Sequence, residues 1–100
     1  MQLTKRQIKS IRKFFSDKPV VRAYLFGSYV REEASVNSDI DILVDLDYSV
    51  PIGLEFVNMA FDLEDMLEKK VDLVSSRGIS KYIVPYIETE KKLIYERKVG

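Results

Sequence analysis

The sequence contains no cysteine and no histidine. Without cysteine there is neither a disulfide framework nor a cysteine nucleophile, and without histidine there is no Ser-His-Asp triad. A zinc site built on sulfur or imidazole ligands is excluded as well. Any metal must therefore be bound by oxygen, which favours a hard ion such as magnesium or manganese.

An excess of one charge and a long apolar run are also missing. Sixteen lysine and arginine residues balance sixteen acidic ones, which argues against a dedicated nucleic-acid or membrane-surface binder. No apolar run approaches the roughly 18 residues of a membrane span. Residues 1–16 are basic and acid-free, as in a transit peptide, but their apolar residues have the spacing of a core helix. We therefore expect a cytoplasmic protein without direct membrane or nucleic-acid contacts.

The length of 100 residues predicts one domain over 1–100 with one core. Apolar periodicity and turn residues predict helical segments over 5–16, 29–33, 51–68 and 81–88, and strands over 20–26, 39–46 and 71–75. Thr4 is the expected cap of the first helix. Residues 93–95 fit either a fourth strand or a helical tail. This order predicts an α+β fold, with a small mixed sheet of three to four strands packed with helices.

A Gly27-Ser28 pair follows the first predicted strand. Neither GxxxxGK[ST] nor GxGxxG occurs in the chain, so a Walker loop and a dinucleotide fingerprint are excluded. A strand-to-helix bend nevertheless presents free N–H groups, and glycine lets a ligand approach the backbone. The pair is a candidate phosphate site, although a purely structural Gly-Ser turn gives the same pattern.

Two aspartates, Asp39 and Asp41, stand at i and i+2 in the second predicted strand. Alternation places both on one face, about 6.5 to 7 Å apart along the strand, with Ile40, Ile42 and Val44 on the other face. The two carboxylates repel unless a cation lies between them or water solvates them. Divalent ions held there could align a triphosphate with an incoming hydroxyl. A hydrated strand face is the alternative.

A third acid, Asp72, lies in the apolar strand 71–75, where a buried carboxylate without a partner would be costly. If this strand pairs beside strand 39–46, Asp72 faces Asp39 and Asp41 and completes a set of three metal ligands. In that position it could accept the proton of an acceptor hydroxyl. An acid at an exposed sheet edge is the alternative.

These motifs together resemble those of a known family. LFGS at 25–28, ten further residues and DIDILV at 39–44 resemble the GS-x10-DxD pattern of the minimal nucleotidyltransferases, within the DNA polymerase β-like superfamily. GSYVREEA at 27–34 resembles the GSxARGEA run of that family, and the segment from Pro85 to Tyr95 resembles its PxIxxE ending. Glu32 departs from the pattern, because the family usually has glycine there. Its negative side chain lies near the expected phosphate site unless it turns outward.

The resemblance implies the metal ligands. Asp39 and Asp41 would bind two magnesium ions, and Asp72 would be the third catalytic carboxylate.

The resemblance also implies the nucleotide ligands. Gly27 and Ser28 would hold the β- and γ-phosphates of ATP, with Ser38 of the SDID run beside them. Arg31 matches the family arginine and would contact phosphate or acceptor. A surface salt bridge of Arg31 with Glu33 or Glu90 is an equal alternative.

The implied function is magnesium-dependent transfer of AMP from ATP to a hydroxyl group, with release of pyrophosphate. Because so short a chain leaves few residues for an acceptor pocket, we expect a macromolecular acceptor. The resemblance implies a HEPN-domain ribonuclease toxin, which this protein would neutralise as its antitoxin by adenylylating a tyrosine.

Two other functions fit the same sequence. A non-catalytic antitoxin could cover its partner with apolar and aromatic residues that exceed the needs of a small core, or the same residues could simply be core: Tyr82, Ile83, Tyr86, Ile87, Ile94 and Tyr95. A small-molecule nucleotidyltransferase would need a second subunit to supply its pocket.

Overall fold

The structure is a computed structural model that describes residues 2–98. Its helices and strands follow one another as α1 Lys5–Phe15, β1 Val20–Phe26, β2 Ile40–Leu46, α2 Glu55–Leu67, β3 Val71–Ser75, α3 Val84–Glu90 and β4 Lys92–Glu96. The four strands form one sheet in the order β3-β2-β1-β4. β3 runs parallel to β2, whereas β1 is antiparallel to both β2 and β4. The predicted α+β fold with a mixed sheet is confirmed.

Helix α1 begins at the predicted cap. The Thr4 side chain accepts a hydrogen bond from the Gln7 backbone N–H, and the Gln7 side chain accepts one from the Thr4 N–H. This reciprocal capping box satisfies two N–H groups that a helix start leaves without acceptors. Ile11 and Phe15 are buried on the inner face of the helix, as their spacing predicts.

The main core lies between one face of the sheet and the helices α1 and α2. Ile40, Ile42 and Val44 of β2 are fully buried in it, and the alternation of this strand is confirmed. Of the intervening positions, Asp41 and Asp45 are only half-buried, whereas Leu43 between them is buried. The opposite face of the sheet therefore carries the acids.

The helical turn predicted over 29–33 is wrong in position and type. A 3₁₀ turn, Gly27–Tyr29, starts directly after β1. Gly27 has a φ of +76°, and its carbonyl accepts hydrogen bonds from the N–H groups of Val30 and Arg31. Because glycine tolerates this left-handed φ, the chain turns at Gly27 itself, directly after the last residue of β1.

Helix α2 begins at Glu55 and not at Pro51. Gly53 has a φ of +47°, which a right-handed helix does not contain, so a helix cannot run through it. The helix ends at Leu67, where Glu68 takes a left-handed φ of 54°. Apolar periodicity reports the buried face of a helix, but it does not reveal a backbone reversal just before the helix.

The C-terminal segment is a helix followed by a strand. α3 starts at Val84, with Pro85 in its first turn, so the helix predicted over 81–88 begins three residues late. Residues 93–95 belong to β4, which settles the alternative in favour of a strand. Across residues 2–98, every helix falls short of the length and apolar character that a bilayer crossing requires.

Candidate active site

The strand register brings two of the predicted acids side by side. Asp41 of β2 is paired with Phe26 of β1 on one side and with Asp72 of β3 on the other. Neighbouring strands lie about 4.8 Å apart, and paired residues project from the same face. Asp39 directly precedes β2, two residues before Asp41, and alternation places it on that face too. The candidate site is therefore an acid row at one end of the sheet, formed by Asp39, Asp41 and Asp72.

Electrostatics links the three members of the acid row. The pKa of Asp41 is raised to about 6, first because the carboxyl group is partly buried and then because Asp72 and Asp39 repel its negative charge. Glu90 adds to the repulsion, whereas Arg31 opposes it. A bound cation would relieve this repulsion. Three carboxylates are also the oxygen donors that magnesium prefers, so the acid row fits such an ion in charge and donor type.

The acid row is open. The side chains of Asp39 and Asp72 are exposed. Within residues 2–98, no three acidic side chains are gathered closely enough to form a ready-made metal cluster. An ion at this site would have to draw exposed carboxylates together, which their exposure permits.

Gly27 lies directly against Asp41. A Cβ atom added to Gly27 would collide with the Oδ2 atom of the Asp41 carboxylate. Glycine is therefore required here twice, once by the left-handed φ and once by the close approach of this carboxylate. The bend and the acid row are parts of one site.

The two serines of the motif differ in their contacts. The Ser28 hydroxyl has no hydrogen-bond partner within the described part of the chain, and the first N–H groups of its 3₁₀ turn have no acceptor inside the turn. The Ser38 hydroxyl instead accepts a hydrogen bond of 2.9 Å from the Ser35 N–H. In this structure Ser38 orders the loop that leads to Asp39, and Ser28 carries the available hydroxyl.

Arg31 forms salt bridges with both Glu33 and Glu90, the two partners that the alternative interpretation of this residue predicts. Its Nε atom lies 3.0 Å from Oε2 of Glu33. Its Nη1 atom lies 2.8 Å from Oε2 and 3.1 Å from Oε1 of Glu90. Arg31 is thereby held between the turn after β1 and the end of α3.

Glu32 turns outward. Its carboxylate accepts a hydrogen bond of 2.8 Å from the Gln2 side chain. Its φ of 61° lies in the left-handed region, which explains why glycine suits this position in the family pattern. With Gln2, Glu32 lines a groove of about 770 Å³ beside α1 that does not include the acid row.

One residue of the site was missed by sequence reasoning, which considered Glu90 only as a possible surface partner. Glu90 is 19% exposed and acts on the charge of Asp41. A signal was present, because Glu90 is the final glutamate of the PxIxxE segment that starts at Pro85.

The apolar residues near the C-terminus divide into two groups. Ile87 and Ile94 are buried, and half-buried Tyr95 packs against the core, as the core interpretation predicts. Tyr82, Ile83 and Tyr86 are exposed to 76, 49 and 72%. Only the second group is available to a partner.

Comparison with known proteins identifies the family. A family model described as polymerase beta, nucleotidyltransferase, matches residues 9–99. The MJ0126 protein of Methanocaldococcus jannaschii, named as a candidate protein adenylyltransferase, is 35% identical over 97 residues, which cover 94% of this chain and 91% of the relative.

Solved structures with a similar fold support the same family assignment. A chain in a crystal structure of a toxin–antitoxin with AMP-PNP matches with a TM-score of 0.77 and 29% identity, over 91% of this chain and 74% of that one. A chain in the complex of a tri-AMPylated Shewanella oneidensis HEPN toxin with its MNT antitoxin matches with a TM-score of 0.71 and 25% identity, over 94% and 73%. The chain described here therefore belongs to the polymerase beta nucleotidyltransferase family.

Proposed function

We propose that this nucleotidyltransferase transfers AMP from ATP to a hydroxyl group of a protein. The observation that carries the proposal is the position of Asp41, which lies against the Gly27 bend on one side and beside Asp72 on the other. This position supports the proposal because it puts a bend that suits phosphate oxygens next to carboxylates whose mutual repulsion a cation would relieve. A nucleoside triphosphate accompanied by divalent ions matches both features.

Each part of the site has a separate task. The N–H groups at Gly27 and the hydroxyl of Ser28 donate hydrogen bonds to the β- and γ-phosphates. Asp39, Asp41 and Asp72 would hold two Mg²⁺ ions, which, when bound, neutralise the triphosphate charge. Arg31 contributes positive charge to the same phosphates.

The transfer step exchanges one P–O bond for another. The acceptor oxygen bonds to the α-phosphorus of ATP, the bond between that phosphorus and the oxygen of the β-phosphate breaks, and pyrophosphate leaves. Asp72, exposed at the edge of the sheet, accepts the proton of the acceptor hydroxyl. Positioning and electrostatic stabilisation supply the catalysis.

We propose a HEPN-domain toxin as the protein acceptor. The AMPylated HEPN toxin bound to a structurally similar chain supports this choice. The open acid row supports it as well, because an open face admits a protein segment and lacks the enclosing walls of a small-molecule pocket. Neutralisation of the toxin by adenylylation would make this chain an antitoxin.

The test is transfer of label from α-labelled ATP to a HEPN toxin in the presence of Mg²⁺. Wild type should label the toxin, and Asp39→Ala/Asp41→Ala should not. The matched control is Asp62→Ala/Asp65→Ala, which removes two exposed acids from α2 and should label like wild type. Equal labelling by the Asp39/Asp41 variant would refute the assignment.

A second candidate, neutralisation by binding alone, is favoured by the exposure of Tyr82, Ile83 and Tyr86. It predicts that Asp39→Ala/Asp41→Ala still protects cells from the toxin, whereas exchange of the three exposed residues for polar ones does not. Loss of protection in the aspartate variant would exclude it.

A further inference from the structure

The salt bridge between Arg31 and Glu90 joins two distant parts of the chain at the edge of the acid row. The residues are 59 positions apart, and one guanidinium nitrogen contacts both oxygens of the carboxylate, at 2.8 and 3.1 Å. Arg31 follows the Gly27 bend, and Glu90 is the last residue of α3. The contact therefore fixes the guanidinium relative to the bend.

Glu90 is better placed than Glu33 to hold Arg31. The Glu33 side chain is 64% exposed, whereas that of Glu90 is 19% exposed, the least of any acid that forms a salt bridge within residues 2–98. Exposed ion pairs contribute little, because the side chains remain free to move and water screens them. A carboxylate that is largely enclosed has fewer alternative positions, so it determines where the guanidinium lies.

The location of Glu90 needs an explanation, because it adds negative charge to a place that already has three acids. The Arg31 N–H donates a hydrogen bond of 3.2 Å to the carbonyl of Gly27, which lies against Asp41, and both Arg31 and Glu90 influence the charge of Asp41. The pair therefore acts on the acid row from the side of the Gly27 bend. An unpaired carboxylate there would repel a triphosphate. Glu90 offsets this repulsion if it holds Arg31 in a position from which the guanidinium attracts the triphosphate.

We propose that Glu90 is a positioning residue for nucleotide binding, which acts by holding the Arg31 guanidinium beside the Gly27 bend. The inference rests on the proposed function, which places the triphosphate at this bend. When Glu90 is replaced by Gln, the charge-assisted hydrogen bonds weaken and the guanidinium turns toward exposed Glu33. The nucleotide then has to order the arginine as it binds, and affinity falls.

The direction in which Glu90→Gln changes nucleotide affinity distinguishes a positioning role of Glu90 from a purely electrostatic one. If Glu90 acts only through its negative charge, Glu90→Gln tightens the binding of a polyanion. If it positions Arg31, Glu90→Gln weakens binding, by about 3- to 10-fold for one charge-assisted contact. Glu90→Asp, which keeps the charge, should recover part of the affinity.

The experiment is a double-mutant cycle with titration calorimetry of AMP-PNP in excess Mg²⁺. Wild type, Glu90→Gln, Arg31→Gln and the double variant are compared, with melting curves to verify folding. Glu90→Gln should weaken binding in the wild-type background, because Glu90 acts through Arg31. In the Arg31→Gln background it should not weaken binding, and removal of the unpaired negative charge should tighten it slightly. Glu88→Gln is the matched control, since Glu88 lies on the same helix and pairs with Lys91, and it should bind like wild type.

Unchanged or tighter binding by Glu90→Gln would overturn the inference, as would the same loss in both backgrounds. If the cycle behaves as expected but wild type labels no toxin, the inference stands and the proposed acceptor fails. If wild type binds no AMP-PNP in Mg²⁺, both are refuted.

Discussion

Asp41 lies directly beside Asp72 across the parallel ladder of β2 and β3, and its carboxylate packs against Gly27. This arrangement crowds negative charge into a half-buried position next to the Gly27 bend. Without a ligand it is an electrostatic cost, which appears as the raised pKa of Asp41. A polyanion accompanied by divalent cations removes that cost.

Gly27→Ala should destabilise the protein and abolish nucleotide binding. The new methyl group collides with the Asp41 carboxylate at a φ that disfavours alanine, so we expect a loss of at least about 2 kcal/mol in the free energy of unfolding. Gly53→Ala is the control, because its φ is also positive but nothing lies within 4 Å of the added atom. It should cost only about 1 kcal/mol. Urea unfolding checks both, and equal losses would contradict the close approach at Gly27.

The stability of the metal-free protein should rise as the pH falls from 7 to 5. The pKa of Asp41 is about 6 in the folded protein and near its ordinary value of 3.8 when unfolded. Between these values the folded state binds more protons, so acidification favours it. Asp41→Asn should remove this contribution. Urea unfolding in EDTA measures the difference between the two proteins, and a difference that does not change with pH would show that Asp41 titrates normally.

Glu32→Gly should stabilise the protein by about 0.5 to 1 kcal/mol. Relief of the left-handed backbone, worth about 1 to 2 kcal/mol, exceeds the added entropy of glycine in the unfolded chain, about 0.4 to 1 kcal/mol. Glu68→Gly should act similarly, since Glu68 also has a positive φ. Asn37→Gly, at an exposed loop position without a positive φ, should instead destabilise slightly. Thermal or urea unfolding checks the three signs.

The parts of the fold that depend on local pattern were predictable. The cap at Thr4 and the strands 20–26 and 71–75 follow from residue type and alternation, and both strands have the predicted bounds. The starts of the turn at Gly27 and of α2 were not predictable, because each is set by a glycine with a positive φ. A glycine permits a positive φ, but its presence in the sequence does not show that the folded chain adopts one.

The same distinction applies to the site. The GS and DxD motifs identify Gly27, Ser28, Asp39 and Asp41 from the sequence alone, because each motif lies within a few consecutive residues. That Asp72 lies beside Asp41 depends on parallel pairing of β2 and β3, which the sequence allowed but did not require. The contact of Glu90 with Arg31 depends on where α3 lies relative to the bend, and no local pattern encodes it.

The most direct test of the site is the melting temperature of the protein with ATP, measured with and without Mg²⁺, for wild type and Asp72→Asn. Ligand that binds the folded state raises stability by RT ln(1 + [L]/Kd). Wild type should be stabilised by ATP only when Mg²⁺ is present, and Asp72→Asn should lose most of that shift while its melting temperature without ligand does not fall. An equal shift without Mg²⁺, or an undiminished shift in Asp72→Asn, would contradict a metal–nucleotide site built on the acid row.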